Sequence, residues 1–166
     1  MARSWLSRAI LHALARMKIL FALFLLALTV SSAYAPCKFI ILVTTGDRED
    51  AGTDARVSLS VSTANGKKLV IKSLKPWGQK GHNNFEKGHT DKFEGSGKCL
   101  PSKPCRMLLE SNGKGNKPGW FVDKVAFTQI EQKKLSQKEK TFNVNRLLAR
   151  DESPGTLFVV VDDCAK

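Results

Sequence analysis

Two short segments of this 166-residue chain combine turn-forming residues with oxygen-bearing side chains. They are Ala51–Asp54, with the sequence Ala-Gly-Thr-Asp, and Asn83–Glu86, with the sequence Asn-Asn-Phe-Glu. A hard cation such as Ca²⁺ binds about six to eight oxygens from carboxylates, amides and backbone carbonyls. Each segment lies at the end of a predicted strand, so two loops at one end of a sandwich would supply these oxygens together. The pair therefore predicts a calcium site.

No catalytic set accompanies these segments. The GxSxG motif is missing, and Gly95–Lys98 is a loop before Cys99 that does not lead from a strand into a helix, unlike a phosphate-binding loop. His82 and His89 have no evident serine or thiol partner, and we interpret each as a surface loop residue. We therefore expect a protein that binds rather than catalyses, with a small enzyme of unfamiliar type as the least favoured alternative.

Residues 1–33 have the organisation of a secretory signal peptide. Basic residues beside Met17 precede an apolar run over residues 19–30 and then a group of small residues over 31–35. The run spans roughly twelve residues, whereas a membrane-crossing helix needs about twenty. We predict cleavage after Ala33, a mature domain over residues 34–166 and no transmembrane segment in it. Extracellular export to the apoplast is the expected destination, with the endoplasmic reticulum as the alternative; the start, Met1 or Met17, stays open.

The chain is basic, with a formal net charge of +12. The leader holds four basic residues and no acidic one, so the mature chain carries about +8. Such a surface suits anionic lipid head groups or acidic wall polysaccharide. Nucleic acid is not an expected partner of a secreted protein. The alternative is that the lysines only form a solvated face.

All four cysteines follow the predicted cleavage site. An even number in an oxidising compartment indicates disulfides, and three pairings are possible. Cys99 and Cys105 bracket a short loop with two prolines, so a local bridge is sterically reasonable; this leaves Cys37 to pair with Cys164. A zinc site is not expected, because CxxC spacing is absent.

Short apolar or alternating runs separated by turn residues predict an all-β, eight-stranded antiparallel β-sandwich. Alternation of valine or leucine with serine over residues 57–62 has the period of a strand with one buried face. Asn65-Gly66 predicts a hairpin turn. Residues 120–130 predict a long strand whose apolar phase changes midway, as at a bulge. Only residues 145–150 favour a short helical turn.

Four separated blocks resemble the PLAT domain, the lipoxygenase-homology β-sandwich, in the family's order. The matching blocks are Thr45–Ala55, Asn84–Phe93, Pro118–Val125 and Asn145–Glu152. The resemblance covers essentially all of residues 38–163. With a signal peptide before it, the chain is similar to plant proteins that consist of one secreted PLAT domain and are associated with stress responses; the cysteine loop fits that subgroup.

The resemblance implies where calcium would bind. The matching positions are the backbone oxygens of Asp50, Gly52 and Thr53 and the side chains of Asp54, Asn83, Asn84 and Glu86. Calcium-binding relatives often have Asp where this chain has Asn84, which implies fewer negative charges and weaker affinity. The alternative is that Asp54 and Asn84 only hydrogen-bond their turns.

Two tryptophans receive different interpretations. Trp120 is expected in the core between the sheets, because large aromatic side chains dominate such cores. Trp77 lies in a predicted loop between Lys75 and Lys80, a composition suited to contact with a membrane or a partner. The alternative is that Trp77 folds back over the sheet edge.

We therefore expect a monomeric, non-enzymatic, secreted binding module that engages membrane lipid or a protein partner, assisted by Ca²⁺, in a stress response. The alternative is an adaptor for a lipid-modifying enzyme or a cell-wall component.

Overall fold

The computed structural model of the protein describes residues 17–18, 36–131 and 135–165. The chain divides into two units, residues 1–35 and 36–166. Met17 and Lys18 are helical and exposed; the rest of the predicted signal peptide, including the cleavage position after Ala33, lies outside the described residues. Among the residues described, no helix has the length and apolar character needed to cross a membrane.

The described residues of the second unit form eight antiparallel strands. The strands are β1 (Cys37–Thr45), β2 (Val57–Ser62), β3 (Lys68–Ile71), β4 (Thr90–Gly97), β5 (Arg106–Ser111), β6 (Trp120–Glu131), β7 (Ser136–Leu148) and β8 (Phe158–Asp162). One sheet has the order β4-β1-β6-β7 and the other has the order β3-β2-β5-β8. The predicted eight-stranded antiparallel β-sandwich is confirmed.

The core lies between the two sheets and follows from alternation along each strand. Phe39, Ile41 and Val43 of β1 point inward and are fully buried, while the residues between them face outward. Burial of such apolar area is the main favourable term in folding. Trp120 is fully buried, as predicted, and its indole Nε1 donates to Thr45 Oγ1 at 3.0 Å. The one polar atom of the ring is thereby satisfied inside the core.

The predicted irregularity in the long strand is a bulge at Asp123. Lys124 pairs with Thr44 of β1, but Val122 pairs with Thr45, so Asp123 is an extra residue relative to β1. This insertion allows both halves of β6 to bury apolar side chains, because it restores the inward phase after a break in alternation.

The helical turn predicted over residues 145–150 is wrong, since β7 continues to Leu148. Arg146 and Leu147 pair with Val122 and Phe121 of β6. Asn145 has a φ of 44°, a left-handed backbone at the shift in register between β6 and β7. The segment therefore contains one turn-like residue within a strand.

The two disulfides are present, but the predicted pairing is wrong. Cys37 bonds to Cys99 and Cys105 bonds to Cys164, with Cα atoms 5.1 and 4.8 Å apart. The strand register explains these pairs. Cys37 lies opposite Gly97 on neighbouring strands β1 and β4, and Arg106 lies opposite Asp162 on neighbouring strands β5 and β8. Cys37 instead lies in β1 of one sheet, whereas Cys164 follows β8 of the other sheet.

Candidate calcium-binding loops

The two segments that suggested a cation site meet in the structure. The backbone N–H of Thr53 donates to the carbonyl oxygen of Phe85 at 3.1 Å. A Cβ on Gly52 would lie 3.1 Å from that same oxygen and 3.3 Å from the backbone nitrogen of Lys87. The approach of the two backbones therefore requires a glycine at position 52.

Contacts beneath the first segment fix its backbone. Thr53 is buried, and its hydroxyl donates to the carbonyl of Lys117 at 2.6 Å and accepts from the backbone N–H of Ala55 at 3.1 Å. The carbonyl of Ala51 accepts from Phe121 at 3.0 Å. The hydroxyl of Thr53 is thus already engaged, which agrees with an expected ligand role for its backbone oxygen rather than its side chain.

A buried carboxylate holds the second segment. Asp91 is 2% exposed; its Oδ2 accepts from the backbone N–H of Phe85 at 2.6 Å and its Oδ1 accepts from His82 Nε2 at 2.9 Å. Phe85 has a φ of 66°, unusual for a residue with a side chain, so this conformation needs support from its surroundings. Its ring supplies part of that support by packing 4.9 Å from the ring of Trp120, centroid to centroid.

Sequence reasoning missed the role of Asp91 and treated His82 as an unengaged surface residue. The only sequence signal was the spacing of an aspartate six residues beyond Phe85 and nine beyond His82, and such a spacing has many structural meanings. The contact depends on the chain reversing direction between Asn84 and Thr90, where β4 begins.

A cleft of about 240 Å³ lies between the segments. Four of the seven predicted ligands line it: Thr53, Asp54, Asn83 and Asn84. The other three, Asp50, Gly52 and Glu86, do not line it. Glu86 Oε1 accepts from Asn83 Nδ2 at 2.5 Å, and Asp50 is exposed with a φ of 53°.

The amide of Asn84 fits a cation ligand. Its Oδ1 is buried and, within the part of the chain that the structure describes, has no hydrogen-bond partner, while its Nδ2 donates to the carbonyl of His82 at 3.3 Å. A buried acceptor without a partner is costly unless a donor or a cation reaches it. If Asn84 only hydrogen-bonded its own turn, the contact of its Nδ2 would be explained. The burial of its Oδ1 without a hydrogen-bond partner would not be explained.

The donor set is rich in neutral oxygens and poor in charge. Among the described residues, no group of three or more His, Cys, Asp or Glu side chains converges as a metal cluster would require. The carboxylates of Asp54 and Glu86 would therefore act with amide and backbone oxygens. Such a set suits Ca²⁺, and its low charge corresponds to weak affinity.

The structure shows the second alternative for Trp77, which folds back over the sheet edge. A Cβ on Gly95 of β4 would lie 2.4 Å from the indole ring, so the ring sits directly on that glycine. The ring also stacks on Phe39, with centroids 6.4 Å apart. Trp77 is half-buried, whereas Lys75 and Lys80 beside it are exposed. Contact of this loop with a membrane or a partner stays a prediction.

Comparison with known proteins is consistent with this architecture. Residues 39–161 match the model of the PLAT/LH2 domain. PLAT domain-containing protein 2 of Arabidopsis thaliana is 35% identical over 159 residues, which cover 90% of this chain and 86% of that protein. PLAT domain-containing protein 3 of the same plant is 38% identical over 101 residues, which cover 59% of this chain and 97% of that protein.

Two solved lipoxygenases share the fold. Coral 8R-lipoxygenase, described as activated by calcium through a C2-like domain, aligns with a TM-score of 0.59 and 26% identity. A calcium-dependent 11R-lipoxygenase aligns with a TM-score of 0.55 and 28% identity. The alignments cover 75% and 76% of this chain but only 16% and 17% of the two lipoxygenases. The likeness therefore concerns one part of those enzymes.

Proposed function

The chain belongs to the PLAT/LH2 domain family, and we propose on this premise that it is a non-enzymatic module that engages a membrane lipid surface with the help of Ca²⁺. Its relatives in Arabidopsis thaliana are named for the domain and not for a reaction. The lipoxygenases that share its fold are described as regulated by calcium.

The unpartnered, buried Oδ1 of Asn84 is the observation that carries the calcium part of this proposal. Asn84 lines the cleft between the two loops, which the exposed Asp54 also lines. We assign the cation to the side chains of Asp54, Asn83, Asn84 and Glu86 with the backbone oxygens of Asp50, Gly52 and Thr53. When bound, Ca²⁺ would add positive charge that attracts anionic head groups.

The lysines beside the loops support an electrostatic contact with lipid. Lys75 and Lys80 are exposed on the segment that precedes Asn83. Each basic side chain close to an anionic leaflet contributes about 1 kcal/mol of attraction, which falls off over the Debye length. The same residues are our candidates for contact with a partner.

We further propose that the mature protein works in the secretory pathway or the apoplast and takes part in a stress response. Two disulfides support an oxidising compartment, since such bonds are rare in the cytosol. The relatives in Arabidopsis thaliana support a plant setting, and the stress response is what the resemblance to single-domain plant proteins implies.

Vesicle sedimentation tests the proposal. The wild-type domain should sediment with phosphatidylserine-containing vesicles in the presence of Ca²⁺, and binding should fall on addition of EDTA or salt. Asp54→Ala should weaken the calcium-dependent part, whereas Asp151→Ala, which removes an exposed carboxylate outside the cleft, should not. Binding that ignores lipid charge, salt and EDTA would contradict the proposal.

One observation favours a protein-partner adaptor as the second candidate. Val70, Phe158 and Val160 on the outer face of the second sheet are 54%, 50% and 52% exposed. Val70 is on edge strand β3, and Phe158 and Val160 are on the opposite edge strand β8. Exposed apolar side chains at the edges of one sheet face suit contact with a protein surface. Val160→Thr and Trp77→Ala variants should differ in the proteins they retain from extracellular fluid if that face, rather than the Trp77 loop, holds the partner.

A further inference from the structure

The cleft lined by four of the predicted calcium ligands is also lined by the basic residues Arg56 and Lys75, which we call its basic wall. Arg56, Lys75, Ser73 and His82 line it together with Asp54 and the two asparagines. Neither Arg56 nor Lys75 has an ion-pair partner within residues 36–131 and 135–165, and both are exposed. The lining of the cleft therefore contains one carboxylate and two basic side chains before any metal binds.

The positive charges of Arg56 and Lys75 weaken the binding of Ca²⁺ in this cleft. A divalent cation entering beside Asp54 and Asn84 is opposed by Arg56 and Lys75, because like charges in a partly enclosed cleft are screened less than on an open surface. An anion in the same cleft would offset this repulsion, because it would contact both the Ca²⁺ ion and the side chains of Arg56 and Lys75. The metal and the anion should each strengthen the binding of the other.

On these observations we propose that the cleft binds a phosphate monoester together with Ca²⁺, with Arg56 and Lys75 as its charged ligands. This proposal rests on the calcium site of the proposed function, and the phosphate monoester is a second ligand of that site.

The chemistry of the wall matches a phosphate group. The guanidinium of Arg56 is suited to a bidentate contact with phosphate oxygens, and the ammonium of Lys75 supplies a compact charge. The hydroxyl of Ser73 is an additional donor on the same wall. A phosphate monoester carries about −1.5 to −2 charges near pH 7, which complements two cations and a metal better than one carboxylate would.

The volume of the cleft is also sufficient. At about 30 Å³ for each water molecule in the liquid, 240 Å³ corresponds to roughly eight waters. A phosphate group and several ligating waters fit this space. A whole lipid does not, so a head group would enter with its glycerol end pointing to solvent.

His82 links the phosphate wall to the calcium loop. Its Nε2 contacts Asp91 Oδ1 at 2.9 Å, and the other oxygen of Asp91 accepts from Phe85, the residue between Asn84 and Glu86. The side chain of His82 is 43% exposed while that of Asp91 is 1% exposed. A buried carboxylate thus anchors His82 and Phe85, the residues on either side of Asn83 and Asn84.

Titration calorimetry with glycerol 3-phosphate as the probe tests the coupling. Saturating glycerol 3-phosphate should tighten the dissociation constant for Ca²⁺ by about tenfold, within the usual range of coupling between two sites. By reciprocity, Ca²⁺ should tighten the binding of glycerol 3-phosphate by the same factor.

A pair of charge-matched variants separates the site from general electrostatics. Arg56→Gln/Lys75→Gln should abolish the coupling. Lys68→Gln/Lys124→Gln removes the same charge from exposed residues that do not line the cleft and should retain the coupling. Equal loss in both double variants would overturn the proposal.

Vesicles identify the source of the phosphate. Tighter calcium-dependent binding to phosphatidic acid in phosphatidylcholine than to phosphatidylcholine alone, lost in Arg56→Gln/Lys75→Gln, supports a lipid head group. Coupling with glycerol 3-phosphate but no preference for phosphatidic acid supports a small soluble ester in the same site.

The failures are distinguishable. If Ca²⁺ binds with the same affinity with and without glycerol 3-phosphate, this inference is overturned while the calcium site stands. If Ca²⁺ binds under neither condition, the calcium part of the proposed function fails with it.

Discussion

The two ends of the first sheet use polar groups in opposite ways. At the end near Cys37, Gln129 is 1% exposed and exchanges two hydrogen bonds with Leu100, at 2.7 and 3.0 Å. Lys138 Nζ adds a third contact to the carbonyl of Leu100 at 3.1 Å. At the end near Thr45, where the loops meet, Asn84 Oδ1 is buried without a partner in the described part of the chain.

The comparison indicates that the end near Cys37 contributes to stability, whereas the end near Thr45 is suited to binding a ligand. The first end is closed by the Cys37–Cys99 disulfide and by satisfied hydrogen bonds, so its polar groups need no ligand. The second end holds polar groups that a ligand can satisfy, at a cost to the free protein. Binding sites commonly occupy loops that a rigid scaffold positions.

The largest effect should come from opening the closed end. Cys37→Ser/Cys99→Ser should lower the free energy of unfolding by about 4 kcal/mol, because the bridge joins residues 62 positions apart in the sequence. Chemical denaturation measures this loss. Calcium affinity, measured where the variant is still folded, should be unchanged; a parallel loss of calcium binding would mean that the two ends are not independent.

Gln129→Leu should have the next largest effect at the same end. It leaves the N–H of Leu100 buried without an acceptor, which costs about 1–3 kcal/mol of stability. Denaturation with a nearly constant m-value is the expected readout. Stability equal to that of the wild type would show that the Leu100 loop relaxes to reach water.

Asp91→Ala tests the end of the first sheet near Thr45, where the two loops meet. The N–H of Phe85 loses its acceptor, and the expected loss is again about 1–3 kcal/mol of stability, now accompanied by weaker calcium binding. Asp91→Asn retains one acceptor oxygen and should recover most of both losses. If calcium affinity is unaffected in the folded Asp91→Ala protein, Asp91 does not position the calcium loop.

Asn84→Asp should have the smallest effect on stability and sharpen the contrast between the ends. It adds a negative charge where an unpartnered oxygen already lies, so calcium should bind about tenfold tighter, or roughly 1.4 kcal/mol. Calorimetric titration of Ca²⁺ measures the change, with Asn143→Asp, at an exposed position of β7 that does not line the cleft, as the control. Unchanged affinity would remove Asn84 from the ligand set.

Much of the fold followed from local patterns. Alternating residues predicted β2, the loss of phase in β6 predicted the bulge at Asp123, and Trp120 was correctly placed in the core. These features depend on which face of a strand is apolar, and that information is contained in neighbouring residues.

The site was less predictable. Asp54 and Asn83 were chosen by resemblance, and the structure brings them to one cleft. The anchoring role of Asp91 and the presence of Arg56 in the lining of the cleft were not anticipated. Both depend on how loops from different parts of the chain fold against each other, which no spacing in the sequence specifies.

The sequence by itself determined the all-β class, the number of strands and the family, because periodicity and separated motifs are properties of the linear chain. Only the tertiary structure decided that Cys37 bonds to Cys99, that Trp77 lies on Gly95 and that basic side chains line the same cleft as four of the predicted calcium ligands. The physical reason is register: which strands are neighbours, and with what offset, is set by packing of the whole core.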